Sequence, residues 1–143
     1  MTVVGSPEPE RTRWQPIRIA IAALMTLAAR TFAVVSLIHF GVVITLGPLI
    51  LDDPFAGAAI PEGIIAIVLG IGTLNVIARA ARSWTVALST TLFALVGTLY
   101  GLSVTLGSPR TADIAYHLGV LCLLAVVVTL LLWPMGRQSL GRR

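Results

Sequence analysis

The chain has 143 residues, of which 57% are hydrophobic and only 11% are charged. A soluble domain carries about 25% charged residues, so this composition predicts one small membrane domain rather than a soluble globule. The net charge of +4 comes from arginine alone, without a basic patch interleaved with aromatic residues. We therefore expect the lipid bilayer, and no nucleic acid, as a partner. The lone cysteine, Cys122, can form neither an intrachain disulfide nor a metal cluster.

The N-terminal part of the chain precedes the first uncharged apolar stretch. Residues 1–16 hold three prolines and four charged residues and predict a disordered cytoplasmic tail. Residues 17–30 are apolar except for Arg18 and Thr26, and two interpretations stay open. They form either an interfacial or cytoplasmic helix leading into the first span, or the first half of a long tilted helix. Arg30 is placed at the cytoplasmic interface, because an arginine at the bilayer midplane would cost about 2.5–3.5 kcal/mol.

The first predicted span is the stretch from Thr31 to Leu51, which carries no formal charge. About 20 apolar residues suffice to cross a hydrocarbon core about 30 Å thick, so its length is adequate. Gly47-Pro48 is expected to weaken or end this helix. The following segment, 52–62, contains two prolines and acidic ends, and we interpret it as an outer loop.

Three further apolar segments complete the predicted architecture. They are separated by glycine, proline and charged residues, and residues 135–143 form a basic cytoplasmic tail. The predicted spans are approximately 31–51, 63–82, 84–106 and 114–133.

Arginine placement predicts the topology. With the N-terminus inside, only Arg110 falls in an outer loop, and the other arginines lie at inner segments. Both termini are then cytoplasmic, in a multi-pass protein of a bacterial inner (cell) membrane. The predicted fold is an all-α membrane protein, an antiparallel four-transmembrane-helix bundle with an N-terminal cytoplasmic/interfacial helical extension.

Small residues indicate where helices would pack. Close backbone approach drives helix association in lipid, and the predicted spans carry small residues at helical spacing. These positions are Ala66, Gly70, Gly97, Gly101 and Gly119. They serve either packing within the bundle or a surface for another protein, and a homo-oligomer stays open.

His39 lies in the middle of the first predicted span. An ionisable group within a membrane span is a candidate functional site, with a proton, ligand or cofactor role. The structural alternative is a neutral imidazole bonded to a backbone carbonyl or to a nearby polar side chain. The candidate partners are Ser36, Thr45, Asn75 and Tyr100.

Asp113 and His117 form a second polar pair. Their spacing of four places them on one helix face, and the pair is either an acid–imidazole site or an ordinary polar helix end. Together with His39, His117 could ligate a haem. However, a continuous first helix would put His39 about 20 Å below its outer end and His117 only about 6 Å below the start of its own helix. We therefore expect no haem.

The sequence offers no catalytic motif. It contains no G-x-S-x-G, P-loop or H-E-x-x-H pattern, and we expect no acidic residue inside the membrane. We therefore predict that the chain is not an enzyme and binds no metal or cofactor.

The segments ARSWTVAL…LYGL and ADIAYHLGVL…LLLWP carry a family resemblance. They resemble small uncharacterised four-helix integral membrane proteins of actinobacteria. That resemblance covers about half of the chain and implies a four-span fold and a location in the inner membrane. It assigns no functional residue.

Three functional hypotheses follow. The first is a non-catalytic accessory subunit of a larger membrane complex, such as a lipid or envelope transport complex or a respiratory complex. It rests on the small size, the glycine positions and the lack of catalytic groups. The second is a small transporter or lipid-binding membrane protein that uses His39. The third is a haem-binding membrane subunit, which the depth argument disfavours.

Overall fold

The computed structural model describes residues 15–107 and 111–141. In that part of the chain it contains five helices and one β-hairpin. The elements are α1 (Gln15–His39), β1 (Ile44–Leu46), β2 (Leu49–Leu51), α2 (Ala56–Ile77), α3 (Ser83–Thr105), α4 (Thr111–Leu132) and α5 (Pro134–Gly141). The first four helices are each long and apolar enough to cross a membrane. The protein is thus predominantly helical, as predicted.

The first helix differs from the prediction. α1 is one helix of 25 residues, which contains the segment 17–30 and ends at His39. At 1.5 Å per residue it is about 38 Å long, enough to cross a bilayer by itself. The predicted span Thr31–Leu51 is therefore wrong. Arg30 lies inside α1 with its side chain exposed, and its placement at the cytoplasmic interface stays a prediction.

A hairpin occupies the second half of that predicted span. β1 and β2 are antiparallel, with Ile44 opposite Leu51 and Leu46 opposite Leu49. Gly41 and Gly47 have positive φ angles of 90° and 59°, which glycine adopts without a steric penalty. Gly41 follows the last turn of α1, and Gly47 is the first residue of a two-residue turn, where a positive φ favours hairpin closure. Gly47-Pro48 therefore forms a hairpin turn and does not end a helix.

The second helix begins earlier than predicted. α2 starts at Ala56 and contains Pro61, although a proline inside a helix removes one backbone hydrogen bond. Because Pro61 lies within the helix, Glu62 is a helical residue with only 4% of its surface exposed. The interpretation of 52–62 as an outer loop is therefore wrong for its second half. α2 ends at Ile77, before the predicted residue 82.

The remaining boundaries agree more closely with the prediction. α3 and α4 lie within about one turn of their predicted limits. Residues 135–141 belong to the short helix α5, which the prediction of a basic tail missed. Gln15 and Pro16 begin α1, whereas the rest of the predicted N-terminal tail, residues 108–110 and residues 142–143 lie outside the described residues.

The buried core runs along the facing sides of α1 to α4. Its fully buried members include Phe32 of α1, Leu69 of α2, Ala94 of α3 and Leu124 of α4. Many other large apolar side chains are exposed on the outer surface of the helices. An apolar exterior around a packed core is what a lipid environment requires.

Candidate functional site

The most unusual feature of the structure is a buried pair of ionisable side chains. His39 Nδ1, at the end of α1, lies 2.8 Å from Glu62 Oε2 in the second turn of α2. The two residues are only 3% and 4% exposed. Burying such groups is costly unless they pair, so this contact ties the two helices together.

Two aspartates lie beside the same imidazole. The second ring nitrogen, His39 Nε2, is 4.0 Å from Oδ1 of the buried Asp113, in the first turn of α4. One ligand atom each from His39, Asp53 and Asp113 lies within 4.8 Å of the others. Asp53 is half-buried in the loop between β2 and α2. The loop after β2 and the start of α4 therefore both bring a carboxylate close to the His39 imidazole.

Phe55 attaches the loop that carries Asp53 to the end of α1. Its backbone N–H donates to the carbonyl oxygen of His39 at 3.0 Å. Its ring also lies edge-on to the His39 imidazole, with centroids 5.9 Å apart. Asp53 is only two residues away, so these contacts hold it near His39. They also satisfy a carbonyl at the C-terminus of α1 that has no helical partner.

A polar contact next to the pair brings α1 and α2 close. Ser36 Oγ, one turn before His39, donates to the Ala59 carbonyl oxygen of α2 at 2.7 Å. At Gly63, a Cβ would lie 3.1 Å from the same hydroxyl oxygen, so a glycine permits the close approach. This contact fixes the relative position of the helix segments that carry His39 and Glu62.

The second histidine lies at the same end of the helices and makes different contacts. His117 Nδ1 donates to the backbone carbonyl oxygen of Asp113 at 2.7 Å. Because a carbonyl oxygen only accepts, Nδ1 carries the proton of this bond. The other ring nitrogen, Nε2, faces Gly101 of α3, where a Cβ would be 2.5 Å from it. The predicted acid–imidazole pair is therefore a side-chain–backbone contact.

Tyr116 completes the buried polar region. Its hydroxyl lies near the Glu62 carboxylate, and its ring contacts Phe32 edge-on with centroids 6.2 Å apart. Among the described residues, neither Tyr116 Oη nor Glu62 Oε1 has a hydrogen bond of ordinary geometry. A ligand, or a small rearrangement of the two side chains, could give each of these buried polar atoms a hydrogen-bond partner.

The other predicted polar residues lie elsewhere. Asn75 is near the opposite end of α2, where Nδ2 donates to the Ile71 carbonyl oxygen. Tyr100 is 70% exposed, and Thr45 lies exposed on the hairpin. The side chain that forms a hydrogen bond with His39 is thus that of Glu62, which was not among the predicted partners.

The predicted packing residues lie in three different environments. Gly97 faces Ile65, and Gly101 faces His117, so both serve contacts between helices of this chain. Ala66 and Gly70 line an apolar groove between α1 and α2. Gly119 is exposed, with open space where a Cβ would be.

The depth argument used against a haem does not hold in the structure. It assumed that the first helix continues beyond His39, whereas α1 ends there. His39 and His117 consequently lie at the same end of the helices, both near Asp113. In their described contacts, however, His39 Nδ1 pairs with Glu62 and His117 Nε2 faces Gly101. The expectation that no haem is bound stays a prediction.

The sequence analysis missed Glu62 and Asp53 for one shared reason. Both lie in the segment that was interpreted as an outer loop because of Pro54 and Pro61. A signal was nevertheless present, since the small and apolar residues from Ala56 onward favour a helix start well before Pro61. A helix beginning there places Glu62 in its second turn.

No protein-family model, curated protein or solved structure matches this chain. Its function must therefore be argued from the buried cluster itself. The imidazole and carboxylate groups of His39, Glu62, Asp53 and Asp113 offer nitrogen and oxygen lone pairs, which bind cations. We call these four residues the carboxylate cluster.

Proposed function

We propose that this protein is a small multi-pass membrane transporter that binds a cation at the carboxylate cluster. The observation that carries the proposal is the buried contact of 2.8 Å between His39 and Glu62. Ionisable side chains within candidate membrane helices are expensive to bury and commonly mark substrate or ion pathways. An apolar pair of similar volume would hold α1 and α2 together at no greater cost, so stability alone does not explain the cluster.

The arrangement of the cluster supports binding rather than catalysis. Its donors come from the end of α1, the start of α2, the start of α4 and the loop at Asp53. Only Asp53 among the four is half-exposed, whereas the other three are buried. A solute would therefore meet Asp53 first and the His39 imidazole deeper in the protein.

A transport assay on the purified chain tests this proposal. The protein is reconstituted into liposomes of neutral lipid, and the uptake of Zn²⁺, Mn²⁺, Na⁺ and putrescine is followed separately. We expect uptake of at least one of these cations, and its loss in His39→Ala. Asp52→Asn is the matched control, because Asp52 is an exposed neighbour outside the cluster. Uptake equal to that of protein-free liposomes for all four cations, or unchanged uptake in His39→Ala, would overturn the proposal.

A second candidate function is that of an accessory subunit in a larger membrane complex. Its supporting observation is the groove between α1 and α2, which contains Arg30 among small and apolar residues such as Ala33, Ala66 and Gly70. An exposed arginine within a candidate span is costly in lipid. A membrane helix of another subunit that carries a carboxylate at the same depth would neutralise it and fill the groove.

Purification in mild detergent with quantitative mass spectrometry tests this second candidate. We expect a stoichiometric membrane subunit that Gly70→Leu releases, because the leucine fills the groove. Gly119→Leu is the matched control on an open face of α4 and should retain the subunit. Recovery of the chain alone, or as a homo-oligomer sensitive to Gly70→Leu, argues against a foreign subunit. The kind of host, whether a lipid or envelope transport complex or a respiratory complex, stays a prediction.

The proposed location is the bacterial inner membrane with both termini in the cytoplasm. This orientation is supported by arginines at one end of the helices, near the start of α1, between α2 and α3 and in α5: Arg18, Arg79, Arg82 and Arg137. The carboxylate cluster would then face the outer side. Labelling single cysteines at Gln15 and Leu49 with a membrane-impermeant reagent in intact cells tests the orientation, with Cys122 replaced by Ala. Only the cysteine at Leu49 should react.

A further inference from the structure

We propose that the cation bound at this cluster is a divalent first-row transition-metal ion such as Zn²⁺, held by His39, Asp53 and Asp113. This inference deepens the proposed transport function by naming its substrate class, but the binding site can be tested separately. The geometry points to these residues because one ligand atom from each lies within 4.8 Å of the others. Around one Zn²⁺ with bonds of about 2.0–2.2 Å, such atoms would be about 3.3 Å apart. The 4.0 Å between His39 Nε2 and Asp113 Oδ1 would therefore shorten by about 0.7 Å, and no pair of these atoms by more than about 1.5 Å, to form the site.

The orientation of His39 fits that of a metal-ligating histidine. Such a histidine usually donates its other ring N–H to a carboxylate, which fixes its orientation and raises its basicity as a ligand. His39 Nδ1 has this contact with Glu62 Oε2 at 2.8 Å. With the proton on Nδ1, the lone pair of Nε2 points to the side of Asp113. Glu62 is thus a positioning residue rather than a ligand.

The donor set selects the class of metal. One imidazole nitrogen and two carboxylate oxygens suit Zn²⁺, Mn²⁺ or Fe²⁺. Ca²⁺ and Mg²⁺ prefer sites made of oxygen ligands alone, and Cu⁺ prefers sulfur. The free thiol of Cys122 is exposed on α4 and does not belong to this group of ligands.

The number of protein ligands suits a site that exchanges its ion. Three ligands leave a fourth tetrahedral position for water, whereas structural zinc sites close all four positions with protein side chains. Asp53 comes from a loop and is half-buried, while His39 and Asp113 are buried on helices. Asp53 can therefore close on an ion that two preorganised ligands already hold. Such a site binds and releases its ion more readily than a rigid four-ligand site.

Equilibrium metal binding by the full purified chain in mild detergent tests the site. Zn²⁺ is titrated in competition with a chromophoric chelator, and Co²⁺ serves as a spectroscopic substitute whose visible absorption reports tetrahedral coordination. We expect one ion per chain, with Ca²⁺ and Mg²⁺ failing to displace it. His39→Gln and Asp53→Asn should each weaken Zn²⁺ binding by at least about tenfold. Asp52→Asn should bind as the unchanged protein does, because Asp52 is exposed outside the site.

Asp53→Asn keeps the test decisive if changes at His39 prevent folding. Asp53 lies outside the helices and is half-buried, so its isosteric replacement should leave the helical circular dichroism unchanged. Zn²⁺ binding of unchanged affinity in a folded Asp53→Asn variant would overturn the proposed site. So would equal competition by Ca²⁺, because it would show a site without a nitrogen ligand.

Glu62→Gln separates positioning from ligation. The amide keeps the size of the side chain but weakens the charge-assisted hydrogen bond to His39. Loss of such a contact should reduce Zn²⁺ affinity by about 10–100-fold while one ion per chain and the tetrahedral Co²⁺ spectrum are retained. A changed spectrum would instead identify Glu62 as a ligand and overturn its assigned role.

The binding and transport results can fail independently. Zn²⁺ binding that depends on His39 and Asp53, without uptake of any cation into liposomes, would establish the site and refute transport. Uptake of Na⁺ or putrescine that depends on His39, without Zn²⁺ binding, would support transport and refute the metal site.

Discussion

The two ends of the helical core place their polar residues in opposite ways. At the carboxylate end, where α1 finishes and α2 and α4 begin, the buried His39 contacts the buried carboxylates of Glu62 and Asp113 on the other two helices. At the arginine end, where α2 finishes and α3 begins, Arg79 and Arg82 are exposed. Exposed charges need no protein partner, whereas buried charges are costly without one.

The two ends also differ in how polar groups connect the helices. At the arginine end, Trp84 Nε1 of α3 donates to the Leu131 carbonyl oxygen of α4 at 2.8 Å. The guanidinium of Arg137 lies 4.9 Å from the centre of the Trp84 ring. These contacts involve one neutral hydrogen bond and one surface cation. The arginine end therefore suits orientation and packing, while the carboxylate end carries the groups that can bind a ligand.

The largest effect should come from breaking the pair at the carboxylate end. Glu62→Leu leaves the His39 imidazole buried without its partner, and we expect a loss of about 3–5 kcal/mol in the free energy of unfolding. The double variant His39→Leu with Glu62→Leu should recover much of that loss, because it removes both buried polar groups. Unfolding in mixed micelles measures both. Equal destabilisation of the single and double variants would contradict a paired interaction.

That buried pair also shows where sequence reasoning was sufficient and where it was not. Length and hydropathy located α3 and α4 closely, because each is a long apolar run between clear breaks. They could not separate the end of α1 from the hairpin, since short apolar runs fit a strand or a buried helix equally well. The bond between His39 and Glu62 joins residues 23 positions apart. Such a contact depends on helix ends that local patterns define least well.

A close contact beside the cluster provides the next test. Gly101→Ala places a Cβ against His117, so the imidazole must shift, and overpacking of this kind costs about 1–3 kcal/mol. Gly119→Ala is the matched control on α4, where the added methyl meets open space. Better helix propensity should make that control as stable as the unchanged protein, or up to about 1 kcal/mol more stable. Similar unfolding free energies for the two variants would show that Gly101 is not a contact position.

The arginine end should respond less to loss of its cross-helix hydrogen bond. Trp84→Phe keeps an aromatic ring but removes the N–H that donates to Leu131. We expect a loss of about 1 kcal/mol, the usual net contribution of a neutral hydrogen bond. The same unfolding assay measures it, and zinc affinity serves as the specificity control. A change in Zn²⁺ binding would show that the two ends are energetically coupled, and it would contradict separate roles in packing and in ligand binding.

The smallest effect should come from the cation over the same ring. Arg137→Gln in α5 removes the guanidinium that lies 4.9 Å from the Trp84 ring centre. Exposed cation–π contacts contribute about 0.5–1 kcal/mol, and Arg137 is exposed. A double-mutant cycle with Trp84→Leu isolates the interaction, because the coupling vanishes when the ring is absent. A coupling energy above about 2 kcal/mol would indicate a desolvated contact, and the arginine end would then contain a buried charge interaction comparable with that between His39 and Glu62.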